Sequence, residues 1–187
     1  RTLRSSSPVP GNNLVLSVDV DLQQVAEGAF KDKKGALIAL NPRTGGILAM
    51  VSKPSFDPNL FVDGIDSVHW ESLSQSDSQP LNNRAIQGLY PPASTFKLFM
   101  ALAALETKKR DSAYTIFDPG YFVLNSGGHV FKDWKEGGHG EVNLHKAIVE
   151  SVDTYFYELA HDMGIDAIHD FVIKFGFGSR SGIDLVG

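Results

Sequence analysis

Residues 90–106 read Tyr90-Pro91-Pro92-Ala93-Ser94-Thr95-Phe96-Lys97-Leu98-Phe99-Met100-Ala101-Leu102-Ala103-Ala104-Leu105-Glu106. The two prolines interrupt whatever precedes them, and from Ser94 onward the run is apolar almost all round. Such a helix is buried, so the sequence predicts a central helix starting at Ser94. Lys97 breaks the pattern, and a charge inside a buried helix is costly without a partner or a task. Residues three apart on a helix share one face, with Cβ atoms about 5–6 Å apart. The amine of Lys97 therefore reaches the hydroxyl of Ser94 and can take its proton where burial favours the neutral amine. In a first turn, backbone N–H groups and the helix dipole favour an oxyanion developing beside Ser94. Chance supplies roughly one S-x-x-K in a chain of this size. The buried-helix setting lifts this one above an incidental pair.

Upstream, the apolar runs 35–40 and 47–51 flank Asn41-Pro42-Arg43-Thr44-Gly45-Gly46, which predicts a β-hairpin. The runs barely alternate, so the sheet is expected to be covered on both faces. Residues 14–18 have strand composition. Asp21 is a candidate N-cap for a helix with Leu22, Val25, Ala26, Ala29 and Phe30 at helical spacing. Residues 1–13, rich in Ser and Pro, read as a linker or lead-in ahead of a domain over 14–187. Residues 53–83 are polar and loop-like, and 118–142 form a second irregular, Gly-rich stretch. Helices are expected near 144–150, 154–163 and 167–175. The fold class is α/β in the broad sense (α+β): an antiparallel sheet flanked by helices, with no internal repeat.

Composition narrows the partners. The 187 residues are 42% hydrophobic and 21% charged, with a net charge of −5. Without a basic stripe, nucleic acid is not an expected partner. There are no cysteines, which excludes a disulfide framework and a thiol nucleophile. No run approaches the roughly 18 apolar residues of a membrane span. Arg1 opens no signal-peptide pattern, so any export signal or anchor is expected outside these residues.

Ser151-Val152-Asp153 is the natural partner for the first motif. Ser17-Val18-Asp19 and Ser55-Phe56-Asp57 share its pattern, but those read as a strand end before a helix cap and a turn before Pro58. Ser151 lies at a helix–helix junction, where its hydroxyl could relay a proton between Lys97 and a leaving group. The reading requires Ser94, Lys97 and Ser151 to share a dry cleft.

Taken in order, Ala39–Met50, Tyr90–Lys97 and Ser151-Val152-Asp153-Thr154-Tyr155-Phe156-Tyr157 resemble class B penicillin-binding proteins, whose motif set is S-x-x-K, S-D-N and K-T-G. Ser55-Phe56-Asp57-Pro58-Asn59, with Phe61-Val62-Asp63-Gly64-Ile65 and the S-x-D variant, is similar to the elongation-specific penicillin-binding protein 2 group. The resemblance runs from Leu14 onward. It implies the penicillin-binding protein and serine β-lactamase-like transpeptidase fold, and a peptidoglycan D,D-transpeptidase of cell elongation and shape maintenance. Ser94 would attack the carbonyl between the last two D-alanines of a stem peptide, with Lys97 as base, Ser151 as proton relay and Asp153 as a polar partner orienting the cluster or the ligand. β-Lactams would acylate the same serine, and the chemistry needs no cofactor. It further implies a periplasmic site on the inner membrane with a single-pass anchor, a membrane glycosyltransferase and other elongation-complex partners, all through parts outside this chain.

Three departures from the family pattern stand out. No K-[ST]-G occurs before Gly187, so the third-motif strand and its oxyanion N–H are expected beyond these residues, and this stretch alone is expected to be an incomplete site. Ala93 stands where the family has Gly, and Asp153 replaces the more widespread Asn.

Asp118, Asp133 and His139 are candidate zinc ligands, since two carboxylates and an imidazole suit Zn²⁺, which takes four ligands in structural sites. The resemblance implies a fourth ligand, a cysteine, where this chain has Val152. The plainer alternative is a loop, with Asp118 capping the turn Asp118-Pro119-Gly120 and His139 exposed. The remaining histidines, His69, His129, His145, His161 and His169, lack ligand spacing and read as surface residues. Two other functions compete. A class D β-lactamase or penicillin-sensing domain shares the first motif but has an apolar residue at position 153. An inactive penicillin-fold scaffold would fit only the lack of a third motif.

Overall fold

The computed structural model describes residues 9–124 and 127–185, so residues 1–8 of the expected linker lie outside the described residues. The chain divides into two compact units, one up to Tyr90 and one from Pro91 to Val186.

In the first unit, α1 (Val20–Phe30) precedes the antiparallel hairpin of β1 (Gly35–Leu40) and β2 (Ile47–Lys53). The expected hairpin forms. Asn41 closes its turn, with the carbonyl accepting Gly45 N–H at 2.8 Å and Oδ1 accepting Arg43 N–H at 2.9 Å. The cap of α1 is Asp19, not Asp21, its Oδ1 accepting Leu22 N–H at 3.0 Å. Ala26, Ala49 and Val51 form a small core with Phe30, Leu37 and Ala39. Contrary to expectation, β1 alternates in burial, leaving Ile38 and Leu40 exposed. The helix covers the Leu37 and Ala39 face, and apolar composition alone cannot count how many faces find a neighbour. Residues 14–18 form no strand, because only Ser17 Oγ and Asp19 N–H reach β2, through the carbonyls of Ile47 and Leu48. Nor is 53–83 structureless: it holds a 3₁₀ turn (Pro58–Phe61) and α2 (Ser67–Ser74), followed by α3 (Arg84–Gln87). Asp57, Asp66 and Asn83 cap them with side-chain oxygens. Short elements capped this way need no apolar period.

The second unit carries α4 (Lys97–Glu106), β3 (Thr115–Asp118), β4 (Tyr121–Val123), β5 (Val130–Lys132), β6 (Gly140–Asn143), α5 (Leu144–Val149), α6 (Asp153–Met163) and α7 (Ile165–Val172). The three helices expected after 143 are all present. β3 pairs with β6 and β4 with β5, both antiparallel, so the described strands form three two-stranded sheets rather than one. The main core joins Met100, Ala101 and Ala104 of α4 to Ile116, Val142, Leu144, Ala147, Val152, Tyr155, Phe156 and Leu159. Ala103 packs with Phe171 and Val172 of α7. The central helix is thus buried on one side only, and Leu98, Leu102 and Leu105 form an exposed stripe on the other. Among the described residues no helix is long and apolar enough to cross a membrane.

Arg110, just past α4, ties that helix to α6. It is 3% exposed and binds Glu158 Oε1 at 3.0 Å and Asp162 Oδ2, with its guanidinium 4.6 Å from the Tyr114 ring and 5.1 Å from the Tyr155 ring. Burial opposes its charge, but the two carboxylates outweigh that and raise its pKa further. Replacing Arg110 by Ala should lower stability by about 2 kcal/mol, below the figure for a fully buried pair because both carboxylates keep some solvent. A lower urea midpoint at unchanged slope in the full-length protein checks this.

Candidate active site

The serine of the first motif lies in a 3₁₀ turn (Ala93–Phe96) that leads into α4, so the α-helix proper starts at Lys97. Ala93, before it, adopts φ +49°, and Ser151 adopts φ +53°. In the left-handed region a side chain costs about 1–2 kcal/mol, so both motif serines sit at or beside a strained residue. Strain of this kind persists where surrounding structure over-determines it. It also explains why a glycine would be at ease at position 93.

Lys97 extends from the first turn of α4 to the junction between α5 and α6. Its Nζ donates to the Ser151 carbonyl at 2.7 Å, to Ser151 Oγ at 3.1 Å and to Asp153 Oδ1 at 2.5 Å. Those three bonds use every proton of an ammonium group. Ser151 Oγ in turn donates to Ser94 Oγ at 2.9 Å. The expected trio is therefore assembled, though the line runs Lys97–Ser151–Ser94 rather than directly from amine to nucleophile. The Lys97 side chain is 13% exposed and its ammonium lies 5.6 Å from the centre of the Phe156 ring, whereas Ser94 is exposed. The cleft is dry at the lysine and open at the serine.

Two recesses meet at Ser94 and Asp153. One, of about 590 Å³, is walled by Trp134, Val149, Glu150 and Ser151. The other, of about 760 Å³, is apolar and runs along Phe96, Met100, Phe156, Tyr157 and Ile168. Burial, then the charges of Asp153 and Asp133, push the Tyr157 phenol above its ordinary pKa, so it stays a neutral hydroxyl. Trp134 escaped the sequence reading. It lies in the Gly-rich stretch with its indole N–H on the Glu150 carbonyl at 3.1 Å, and no motif spacing marks it.

Asp118, Asp133 and His139 also come together, all buried. Gly120 and Gly138 make this contact feasible: a Cβ on Gly138 would lie 2.2 Å from the Asp118 carbonyl, and one on Gly120 2.8 Å from Gly138 N. His139 Nδ1 sits 2.6 Å from Asp118 Oδ2. Two ligands of a tetrahedral zinc at about 2.0–2.1 Å lie roughly 3.3 Å apart, so 2.6 Å is a hydrogen-bond separation. Val152, fully buried in the core, supplies no fourth donor. The residues present do not fit a four-coordinate structural zinc. The turn reading of Asp118 holds as well, since Oδ1 accepts Gly120 N–H at 2.7 Å, but His139 is not exposed. The other five histidines are exposed, as expected.

A serine hydroxyl at a helix start, joined through a second hydroxyl to a half-buried lysine, is the arrangement of the S-x-x-K class of serine acyl-transfer domains. Residues 35–187 match the family described as the penicillin binding protein transpeptidase domain, and the chain belongs to that family. It is 51% identical to the peptidoglycan D,D-transpeptidase MrdA of Acinetobacter baumannii, covering 99% of this chain and 28% of that protein. It superimposes on Pseudomonas aeruginosa PBP2 in complex with WCK 5153 with a TM-score of 0.89 at 46% identity, over 98% of this chain and 40% of that one. A Helicobacter pylori PBP2 in complex with MreC gives a TM-score of 0.82 at 37% identity, over 88% of this chain and 31% of that one. The chain thus spans less than a third of the length of the curated relative.

Burial pushes the Asp118 carboxyl up, but the hydrogen bonds from His139 and the Gly120 N–H outweigh it, and its pKa falls below the ordinary 3.8. A lowered folded pKa stabilises the fold fully above the unfolded value, and that stabilisation is lost as the pH falls through the folded one. Between roughly pH 5 and pH 2 the urea midpoint of the full-length protein should therefore drop more steeply than that of D118N. Parallel pH profiles for the two would contradict this.

Proposed function

We propose that this chain is the front portion, over residues 14–187, of a peptidoglycan D,D-transpeptidase domain acting in cell elongation. The observation that carries the reading is the hydrogen-bonded line from Lys97 through Ser151 to Ser94. Ser94 Oγ attacks the carbonyl between the last two D-alanines of a stem peptide. Its proton passes to Ser151 Oγ, and the proton of Ser151 passes to Lys97 Nζ in its amine form. The C–N bond breaks as Ser151 Oγ, reprotonated by Lys97, gives a proton to the departing D-alanine nitrogen, and the acyl group stays on Ser94. An amine from a neighbouring strand then attacks the ester and reverses the proton path. Asp153, 2.5 Å from Nζ, orients the lysine between turns of the cycle. No metal or organic cofactor enters these steps.

β-Lactams present a strained amide to the same serine and remain as stable acyl-enzymes. The MrdA and PBP2 relatives support a cell-wall role, and the complex with MreC supports a partner of that kind. A glycosyltransferase partner, an anchor in the inner membrane and a periplasmic position would rest on parts outside these 187 residues. Asp153 in the second motif favours this reading over a class D β-lactamase.

Fluorescent penicillin should label the full-length protein on Ser94, and S94A should abolish labelling. S151A and K97A should slow acylation about 10²–10⁴-fold, as loss of a proton-transfer group does. A chromogenic β-lactam should give a single burst. Rapid multiple turnover would instead assign a β-lactamase, and absence of labelling in the parent would assign a scaffold.

A further inference from the structure

The N-terminus of α6 lacks a cap of its own. Its N-cap residue is Val152, whose side chain accepts nothing, although the first-turn N–H groups of a helix need acceptors. The acceptor comes from 21 residues upstream: Asp133 Oδ2 takes the Thr154 N–H at 2.9 Å. Asp133 is itself fixed, since its Oδ1 accepts Lys135 N–H at 3.2 Å and its N–H donates to the Gly120 carbonyl at 2.9 Å. Asp118 Oδ2 meanwhile holds both the backbone N–H of His139 at 3.0 Å and its ring nitrogen at 2.6 Å. Lys146 Nζ clamps the carbonyls of His139 and Glu141. The two carboxylates thus spend their oxygens, and His139 its Nδ1, on hydrogen bonds that join the β3–β4 turn, the end of β5, the start of β6 and the first turn of α6, while His139 Nε2 is buried without a hydrogen-bond partner, 3.8 Å from Glu150 Oε2.

We infer that Asp133, braced by Asp118 and His139, is a positioning residue that caps α6 and sets the second motif without a metal. Thr154 is the neighbour of Asp153 and lies three residues from Ser151, whose left-handed backbone must be held by what surrounds it. With the cap gone, the 151–153 segment relaxes and Ser151 Oγ leaves its bonds to Lys97 and Ser94. The inference rests on the acyl-transfer reading of Ser94.

The test uses the full-length protein, fluorescent penicillin and inorganic zinc. D133A should lower the acylation step about 10–100-fold, the usual effect of losing a residue that orients a reactive group, with noncovalent penicillin binding little changed. D133N keeps an oxygen for the Thr154 N–H and should restore the rate to within about threefold, since Asn and Asp cap equally well. Elemental analysis of the wild type should find no stoichiometric zinc, and a chelator should change neither the thermal midpoint nor the acylation rate. D133S, too short to reach Thr154, replaces D133A in the comparison if the latter does not fold. Wild-type acylation in both truncating variants would overturn the inference, and so would D133N as slow as D133A. One equivalent of zinc whose removal slows acylation would overturn it too. A wild type that penicillin does not label would instead sink the acyl-transfer reading.

Discussion

The ammonium of Lys97 is the point on which the second unit is organised. A lysine anchored in an apolar helix has to satisfy three donors at a place where water has limited access. It does so on the backbone and side chain of Ser151 and on Asp153, more than fifty residues along the chain. That requirement draws the α5–α6 junction onto the start of α4 and so brings two serine hydroxyls within hydrogen-bond distance. The pairing also has an apolar floor, where Met100 and Ala104 meet Val152, Tyr155 and Phe156. Burial supplies the adhesion and the lysine supplies the register.

Held this way, the second motif is strained in a manner that has a visible counterweight. Ser151 occupies left-handed backbone between two helices, and the helix that follows begins without a local cap. The buried carboxylate of Asp133 provides an acceptor just there, and Arg110 fastens the far end of the same helix through Glu158 and Asp162. Each end of α6 is thus tied by one buried charged group, Asp133 at its start and Arg110 at its far end, and a hydrogen bond to a buried charge is stronger than one at the surface. Between those ties lies the face that carries Asp153 and Phe156 toward Lys97.

Some of this could be read directly. The hairpin around Asn41–Gly46, the three helices after residue 143 and the Ser94, Lys97 and Ser151 trio all follow from spacing and turn chemistry that act over a few residues, or from a family likeness carried by those motifs. Other features could not. The strands in 118–142 are three or four residues long and broken by glycine, so no periodicity accumulates. The helix in 53–83 rests on Asp66 as a cap rather than on an apolar face. Trp134 and Asp133 act through contacts whose partners are 16 and 21 residues away.

By itself, the sequence determined that a serine and a lysine lie three residues apart at the start of an apolar helix, that a second serine lies between two helices, and that position 152 carries no ligating side chain. These are properties of residue type and local spacing. Only the tertiary structure decided that the proton line runs through Ser151, that α4 is covered on one side, and that the Asp118 and Asp133 carboxylates and His139 Nδ1 spend themselves on backbone and one another while His139 Nε2 stays buried without a partner. Such outcomes depend on which distant groups meet in a buried setting, where each donor must find an acceptor, and composition does not encode that choice.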